Sequence, residues 1–575
     1  MGQEEKFDVV IIGAGHNGTT AAAYLAKCGL SVCVLEERPE CGGAQENADP
    51  MAGVHTSPHA VALYGGAAPG WEQLELWRYG ARMDWAAQRL SGESFVSGAG
   101  MGLLCTDGVT YASPKDFEGW LKLSGLTGNP SFIKELLRAT FWSPPHPPDV
   151  EVNEHTVPFM QVYKERMPEV WTKELLDWDM FDLMDEYLDT EAFKVYQAYI
   201  AWMSGAAGHF EGMAIPAFES VVAATLYTTG TVPMGAIHGY YHTLFRCAVA
   251  HGAIFRTCCP VDEIIIKHGR AVGVRLRDNA TWGNKVIWAD KAVLSATDIK
   301  QTFNNLIGPK NVDPSLKKRV DDLSLKGGTL YVNSFLTREP VRYRAKYKEA
   351  EQTGVCYPMD SREIYYEHVA DCMGIQGNPT MPPERYMWLW AGSDRIFTPE
   401  YHSQCTRPGR HLENSLVCYV PPPEYHVDGP DAINRDKEKM NAYMRDAFSS
   451  VVEGLEEPNL VRHWGLTPQE QEFRNTGMLG GTWYGIRCCR DQWWNERPLP
   501  EMARYRVPGI DGLYLCHQSS AHPGGLCLMA IGYNLMHTLI EDGVAEPGDW
   551  WYASPWYIPE KGKISAVPGV GKIPV

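Results

Sequence analysis

The stretch FDVVII at residues 7–12 is an apolar run, and it breaks directly into Gly13-Ala14-Gly15-His16-Asn17-Gly18 and an alanine-rich segment. No other feature limits so strongly what this chain can fold into. A run interrupted only by Asp8 predicts a central parallel strand covered on both faces. Residues 17–28 then read as a helix and residues 31–35 (SVCVL) as a second buried strand, a strand-helix-strand unit of the expected length. A bare G-x-G-x-x-G says little. Placed between a strand and a helix, it has the context in which a dinucleotide pyrophosphate is bound. Gly13 permits the tight turn, Gly15 lets the backbone approach the pyrophosphate, and Gly18 lets the helix sit close to the strand. The helix N-terminus adds free N–H groups and the positive end of its dipole. Glu36 closes the second strand about 20 residues on, where an acid accepts the ribose hydroxyls.

Arg38-Pro39-Glu40-Cys41-Gly42-Gly43 follows at once. A plain nicotinamide-dinucleotide domain does not need this second glycine pair; a longer cofactor gains from the close approach it allows. An acid followed after five residues by Gly-Gly resembles the FAD fingerprint of the amine oxidase and phytoene desaturase superfamily. Two later blocks sharpen the resemblance. GAIFRTCCPVDEIIIKHGRAVGVRLRDN followed by ADKAVLSATD is similar to the second FAD segment of phytoene desaturase-like proteins, in which the residue matching Val261 holds the adenine through its backbone. GLYLCHQSSAHPGGLCLMAIGYN resembles the family's C-terminal flavin motif, whose glycine turn and following helix face the flavin's pyrimidine end; GLTPQEQEF, Gly480-Gly481, Asp491-Gln492 and Arg497-Pro498 resemble the stretch before it. The fingerprint and the resemblance together give the expected FAD contacts as Gly13, Gly15, Asn17, Gly18, Glu36, Glu37, Arg38, Gly42, Gly43, Ala44, Val261, Gln518, Gly524, Gly525 and Leu526. The chain departs from the family pattern at His517-Gln518, where a glycine and then an acidic or small residue are usual. That departure opens a functional role for an imidazole.

The implied fold class is α/β: a Rossmann-like FAD-binding domain (GR2-type) with an inserted, discontinuous α+β substrate domain. FAD-domain segments are expected at 1–80, 231–305 and 496–545, and substrate-domain segments at 81–230 and 306–495, which are rich in Trp, Tyr, Met and Pro. In the second FAD segment, residues 239–252 read as helix. A meander of strands follows, ending in the buried strand Ala292–Ala296. In the third, Leu513–Cys516 reads as a strand leading to a glycine turn and a helix. The tail from 546 to 575 carries Trp550, Trp551, Tyr552, Trp556 and Tyr557, and should pack on the body or on a second subunit, because exposed aromatics in such number are unfavourable.

The net charge is −18. An acidic surface repels phosphate backbones, so nucleic acid is not an expected partner. No run of 18 or more uncharged apolar residues appears, so no transmembrane segment is expected. The N-terminus lacks a basic region ahead of an apolar core. Fifteen cysteines without a C-x-x-C pair give no support to a metal site; reduced thiols in a cytoplasmic protein are the expectation. Cys28 and Cys33 have the spacing of a redox pair but precede Glu36, so they read as core residues.

His517, just past a strand at the carboxyl edge of the sheet, is the first candidate for a catalytic base, with a structural hydrogen-bonded role as the alternative. Trp483 and Tyr484 could wall the substrate against the flavin or simply pack in the core. His59, with His55, lies in a segment that in this superfamily runs beside the isoalloxazine. Lys326, ahead of an expected strand from Gly328 to Phe335, could mimic the flavin-facing lysine of amine oxidases or be a solvated strand-edge residue. The expected activity is a dehydrogenase or desaturase forming a C=C bond in a small apolar substrate of terpenoid, carotenoid-like or alicyclic type. The alternatives are an amine or alcohol oxidase and a catalytically altered partner subunit. The electron acceptor (oxygen, a quinone or a redox protein) and any homo- or hetero-oligomer stay open. No second dinucleotide fingerprint is present, so no built-in NAD(P)H site is expected.

Overall fold

The computed structural model describes residues 5–46, 48–51, 53–56, 59, 67–81, 83–85, 102–124, 130–203, 205, 207–215, 217, 231–233, 236–283, 285–352, 360–373, 388–393, 409–426, 428–524, 529–563 and 567–568. Gly525 and Leu526 lie outside the described residues. In chain order, the elements that bear on the site are β1 (Glu5–Ile12), α1 (His16–Lys27), β2 (Val32–Leu35), α2 (Ala236–Ala250), β3 (Ile254–Arg256), β4 (Val261–Lys267), β5 (Arg270–Leu276), β6 (Val286–Ser295), β7 (Thr329–Thr337), β8 (Trp388–Ser393), β9 (His411–Val420), β10 (Leu460–Leu466), α3 (Pro468–Arg474), β11 (Leu513–Leu515) and α4 (Ala530–Glu541).

The main sheet has seven strands in the order β4-β5-β6-β1-β2-β3, with β11 also paired to β6. β1 lies at its centre, parallel to β2 (Val10 opposite Cys33) and to β6 (Val10 opposite Val293). Its alternate residues enter different cores. Val9 and Ile11 join α1 and α4 residues such as Ala22 and Leu535 on one face. Val10 and Ile12 join Val261, Val274 and Phe303 on the other. That two-sided burial is why Val9, Val10, Ile11 and Ile12 are all apolar, rather than apolar at alternate positions. β6, ten residues long, is able to serve three neighbours. Its start pairs antiparallel with β5 (Gly273 opposite Trp288), and its end pairs parallel with β11 (Val293 opposite Leu513).

The expected meander holds for β4, β5 and β6 only. β3 leaves it and pairs in parallel with β2 at the far edge, Val34 opposite Phe255. Alternating polarity marks a strand but does not name its partner. α1 is buried from His16 to Ala26, because it is packed between the sheet, α2 and α4. A helix enclosed on all sides needs small side chains, hence its alanines.

A second sheet, β8-β9-β7-β10, is antiparallel. β7 is buried along its whole length and begins one residue after the expected Gly328. The aromatic tail packs on the body of the chain. Trp550 stacks on Tyr24 and Trp551 meets its edge, while the Tyr552 hydroxyl donates to Glu72 at 2.7 Å. Among the described residues no helix is long and apolar enough to cross a membrane. Cys33 is buried in β2 and Cys28 caps α1; burial pushes both thiols up to about 12, so neither is poised for redox chemistry.

Candidate functional site

A cleft opens at the carboxyl ends of β1, β2 and β6, the edge of the sheet where cofactors bind. Its floor is the turn from β1 into α1. The Gly13 amide donates to the Leu35 carbonyl at 2.7 Å and the Ala14 amide to the Glu36 carboxylate at 2.9 Å, so the turn is tied to β2. The Ala14 carbonyl accepts from the Gly42 amide at 3.0 Å and the Tyr241 hydroxyl at 2.8 Å. Gly15 is the N-cap of α1 and has no side chain to satisfy the first amides. Among the described residues, the N–H groups of His16, Asn17 and Gly18 find no acceptor. They are left for a ligand, as at other anion-binding helix termini.

The glycines divide by role. Gly18 is buried under the turn, where a Cβ would lie 2.3 Å from the Gly13 carbonyl oxygen and 3.0 Å from Ala296 Cβ. Gly15 borders the cleft, and a Cβ there would meet nothing nearer than Gly43 Cα at 3.8 Å. Gly43, with φ of +57°, presses against Gly15; its own Cβ would come 2.9 Å from Gly15 Cα. The second glycine pair is therefore required first by the backbone of the fingerprint turn, which it touches edge to edge.

At one end the cleft is lined by Leu35, Glu36, Glu37, Cys259, Val261 and Arg277. Glu36 accepts from the Ala14 and Arg38 amides at 2.9 and 3.0 Å. Burial raises its pKa, against the pull of those two amides. Each oxygen keeps a lone pair for a ribose hydroxyl. Glu37 pairs with Arg277 at 3.1 Å on the rim. Arg38 does not line the cleft; it pairs with Glu46 at 2.5 Å. Glu46 is enclosed by Arg38, by Arg474 at 2.9 Å and by His59 at 3.4 Å. Burial alone would raise the Glu46 pKa, but these three neighbours bring it down to about 2.

At the other end stand Asn475, Thr476, Gly477, Gln301, Asn305, His517 and Gln518. Residues 475–477 are delivered by α3. Its start is set by a capping box between Thr467 and Glu470, with Pro468 at the first helical position. Sequence reasoning passed over this segment, over Thr297 just past β6, and over Gln301. The signal available was position: Thr297 follows a buried strand at the sheet's carboxyl edge, where ligands gather.

His517 is buried, with its ring at this end of the cleft. Its Nδ1 accepts the Ser519 amide at 3.2 Å and lies 2.8 Å from the Ser519 hydroxyl. An amide can only donate, so Nδ1 is unprotonated and the neutral ring carries its proton on Nε2. Burial, with His16 and Arg497 nearby, lowers the His517 pKa to about 3. In this tautomer His517 offers a hydrogen-bond donor at Nε2, and its Nδ1 is engaged by Ser519. Tyr484 and Trp483, unlike His517, do not line the described cleft. The Tyr484 hydroxyl donates to the Gly328 carbonyl and its ring abuts Gly205, a packing role; Trp483 meets Tyr484 edge-on. His59 sits against Glu46 rather than in the cleft. The Lys326 ammonium lies over the Tyr425 ring at 5.2 Å, away from the cleft lining. Gly524 backs onto Arg497. Among the described residues no cluster could hold a metal ion.

The residues present fit a dinucleotide flavin. Unpaired amides and a side-chain-free cradle lie at the turn, and the buried Asn17 Oδ1 on the cleft wall has no partner. Comparison with known proteins agrees. Residues 8–125 match the family described as FAD dependent oxidoreductase. The chain is 25% identical over 584 residues to pyridine nucleotide-disulfide oxidoreductase domain-containing protein 2 of Rattus norvegicus, covering 93% of this chain and 94% of that one. It is 24% identical over 564 residues to a limonene dehydrogenase subunit of Castellaniella defragrans, covering 94% and 96%. A solved putrescine oxidase variant shares the fold, with TM-score 0.56 and 13% identity over 94% of this chain and 99% of that one. The cofactor is FAD, and the chain is an FAD-dependent oxidoreductase.

Proposed function

We propose that this chain is a dehydrogenase that takes hydrogen from carbon in an apolar, alicyclic or terpenoid substrate, forming a C=C bond. The observation that carries the reading is the likeness to the limonene dehydrogenase subunit along 94% of the chain. A hydrocarbon of that kind has no amine or hydroxyl, so it can surrender hydride only from carbon. Bound FAD supplies the hydride acceptor. The amides at the start of α1 would hold its pyrophosphate, Glu36 its ribose, and Val261 with Cys259 its adenine end. The Nε2–H of His517 would donate to the cofactor's middle.

The likeness to putrescine oxidase concerns the fold alone, and Lys326 engages Tyr425, so an amine oxidase has less support. A second reading, in which the chain works together with a partner protein, rests on the relative from Castellaniella defragrans being one subunit of its dehydrogenase.

The test is anaerobic mixing of the yellow holoprotein with alicyclic alkenes, primary amines and alcohols, followed by flavin absorbance. Bleaching by the alkenes alone supports the proposal, and bleaching by amines or alcohols overturns it. Bleaching by none, with recovery only when a partner protein is added, selects the second reading.

A further inference from the structure

Arg497 is a fully buried cation without a counter-ion. Its Nη2 donates to the carbonyls of Gln518 at 2.6 Å and Tyr484 at 2.8 Å, its Nε to Ala521 at 3.1 Å, and its Nη1 to Ile486, Gln492 and Arg487 at 3.3–3.4 Å. All these acceptors are neutral peptide oxygens, and among the described residues no carboxylate pairs with it. An ion buried in this way is strongly disfavoured unless something negative faces it. Tying the stretches 484–492 and 518–521 together does not require the charge.

The guanidinium lies one peptide behind the cleft wall. Gln518 lines the cleft, and its carbonyl is held by Arg497. The charge is felt there, since Arg497 is among the groups that depress the neighbouring His517. On the FAD reading, with ribose at Glu36 and pyrophosphate at Gly15, the His517–Gln518 wall faces the flavin half of the cofactor. The orientation rests on the FAD reading of the site.

We infer that Arg497 is a positioning residue whose unpaired charge favours the reduced, anionic form of the bound flavin and so raises its reduction potential. Uptake of a hydride brings two electrons and one proton to the ring, leaving one net negative charge. Arg497 supplies a fixed positive charge, buried away from water, to offset it. The carbonyl acceptors keep the guanidinium from moving toward solvent, so its field is there before the hydride arrives.

The experiment compares wild-type holoprotein with Arg497→Lys and Arg497→Met. Three quantities are read: FAD content, the midpoint potential against reference dyes, and the spectrum of the photoreduced flavin at neutral pH. The wild type should reduce to the anionic form. Arg497→Met should bind reduced FAD at least tenfold less well relative to oxidised FAD, a drop of about 30 mV or more for a two-electron couple. Arg497→Lys, which keeps the charge, should stay within threefold of wild type. A yellow wild type whose reduced flavin is neutral overturns this inference and leaves the cofactor reading intact. So does a flavin-loaded Arg497→Met with unchanged potential. If Arg497→Met fails to fold, the wild-type spectrum and the lysine variant still decide. A colourless wild type overturns both readings.

Discussion

Gly15 and Gly18 stand three residues apart in one motif, and the structure predicts that alanine at each will fail for a different reason. At Gly18 the added methyl would sit 2.3 Å from the Gly13 carbonyl oxygen, 3.0 Å from Ala296 Cβ and 3.3 Å from Ile11 Cγ2. The first of these is backbone of the fingerprint turn, which is itself pinned to Leu35 and cannot swing aside. Overpacking of this kind costs about 1–3 kcal/mol. The better helix propensity of alanine returns at most about 1 kcal/mol, leaving a net loss of about 1–2 kcal/mol. At Gly15 the methyl meets only Gly43 Cα at 3.8 Å, and φ of −72° with ψ of 175° suits any residue. Gly15→Ala should therefore leave the apoprotein within about 0.5 kcal/mol of wild type. Its methyl points into the space the pyrophosphate needs, so FAD should bind at least tenfold more weakly, about 1.4 kcal/mol. Thermal unfolding of the two apoproteins and FAD titration by fluorescence quenching separate the effects. A Gly18→Ala apoprotein as stable as wild type, or Gly15→Ala with unimpaired FAD affinity, would refute the assignment.

The Glu46–Arg474 ion pair joins the loop after Gly43 to the end of α3, with the cleft between them. Arg474 is about a third exposed, so Arg474→Ala should weaken the closure by about 1 kcal/mol, seen as roughly fivefold faster FAD release in a stopped-flow chase. His517→Ala should lower FAD affinity through loss of the Nε2–H donor, and the pH profile of flavin reduction should keep its shape; a lost ionisation between pH 5 and 8 would restore the base reading. His238 faces the Glu40 carboxylate at 3.1 Å and the Gln45 carbonyl at 2.6 Å, with His242 against its ring. Burial would lower its pKa, but Glu40 and Gln45 outweigh this and raise it. A raised folded pKa stabilises fully below the unfolded value near 6.5 and is lost as pH rises through the folded value. The loop carrying Gly42 and Gly43 should therefore hold FAD less well with rising pH above about 6.5. His238→Gln should flatten that dependence in a flavin-release assay; an unchanged profile would exclude His238 as its source.

Much of the cofactor site was legible in residues 7–43 because each requirement there is local. A strand buried on both faces must be apolar throughout, and a turn that exposes three amides to a ligand must lack side chains. The acid that meets the ribose must end the next strand. Such demands fall on single positions within a short span, so the residue type records them. Gly42 and Gly43 were legible as a pair, but their reason was not. They abut Gly15, and that contact exists only once the turn has folded.

His517 was legible as a residue at the sheet's edge, yet its tautomer follows from one amide, that of Ser519, which engages the Nδ1 of its ring. Tyr484 and Trp483 looked equally suited to a substrate wall or a core; only the Gly328 carbonyl and the close approach of Gly205 show which. The far wall of the cleft joins Gln301, Asn475 and His517, separated by more than forty residues at each step. Arg497 meets its carbonyls through a packing arrangement that no local pattern records. Sequence by itself determined the strand, the fingerprint turn and the kind of ligand they fit, because backbone geometry and burial act on neighbours in the chain. Which distant side chains close the cleft, and in which charge and tautomer, was decided only by tertiary packing, because desolvation and hydrogen-bond partners come from segments that meet only in the folded protein.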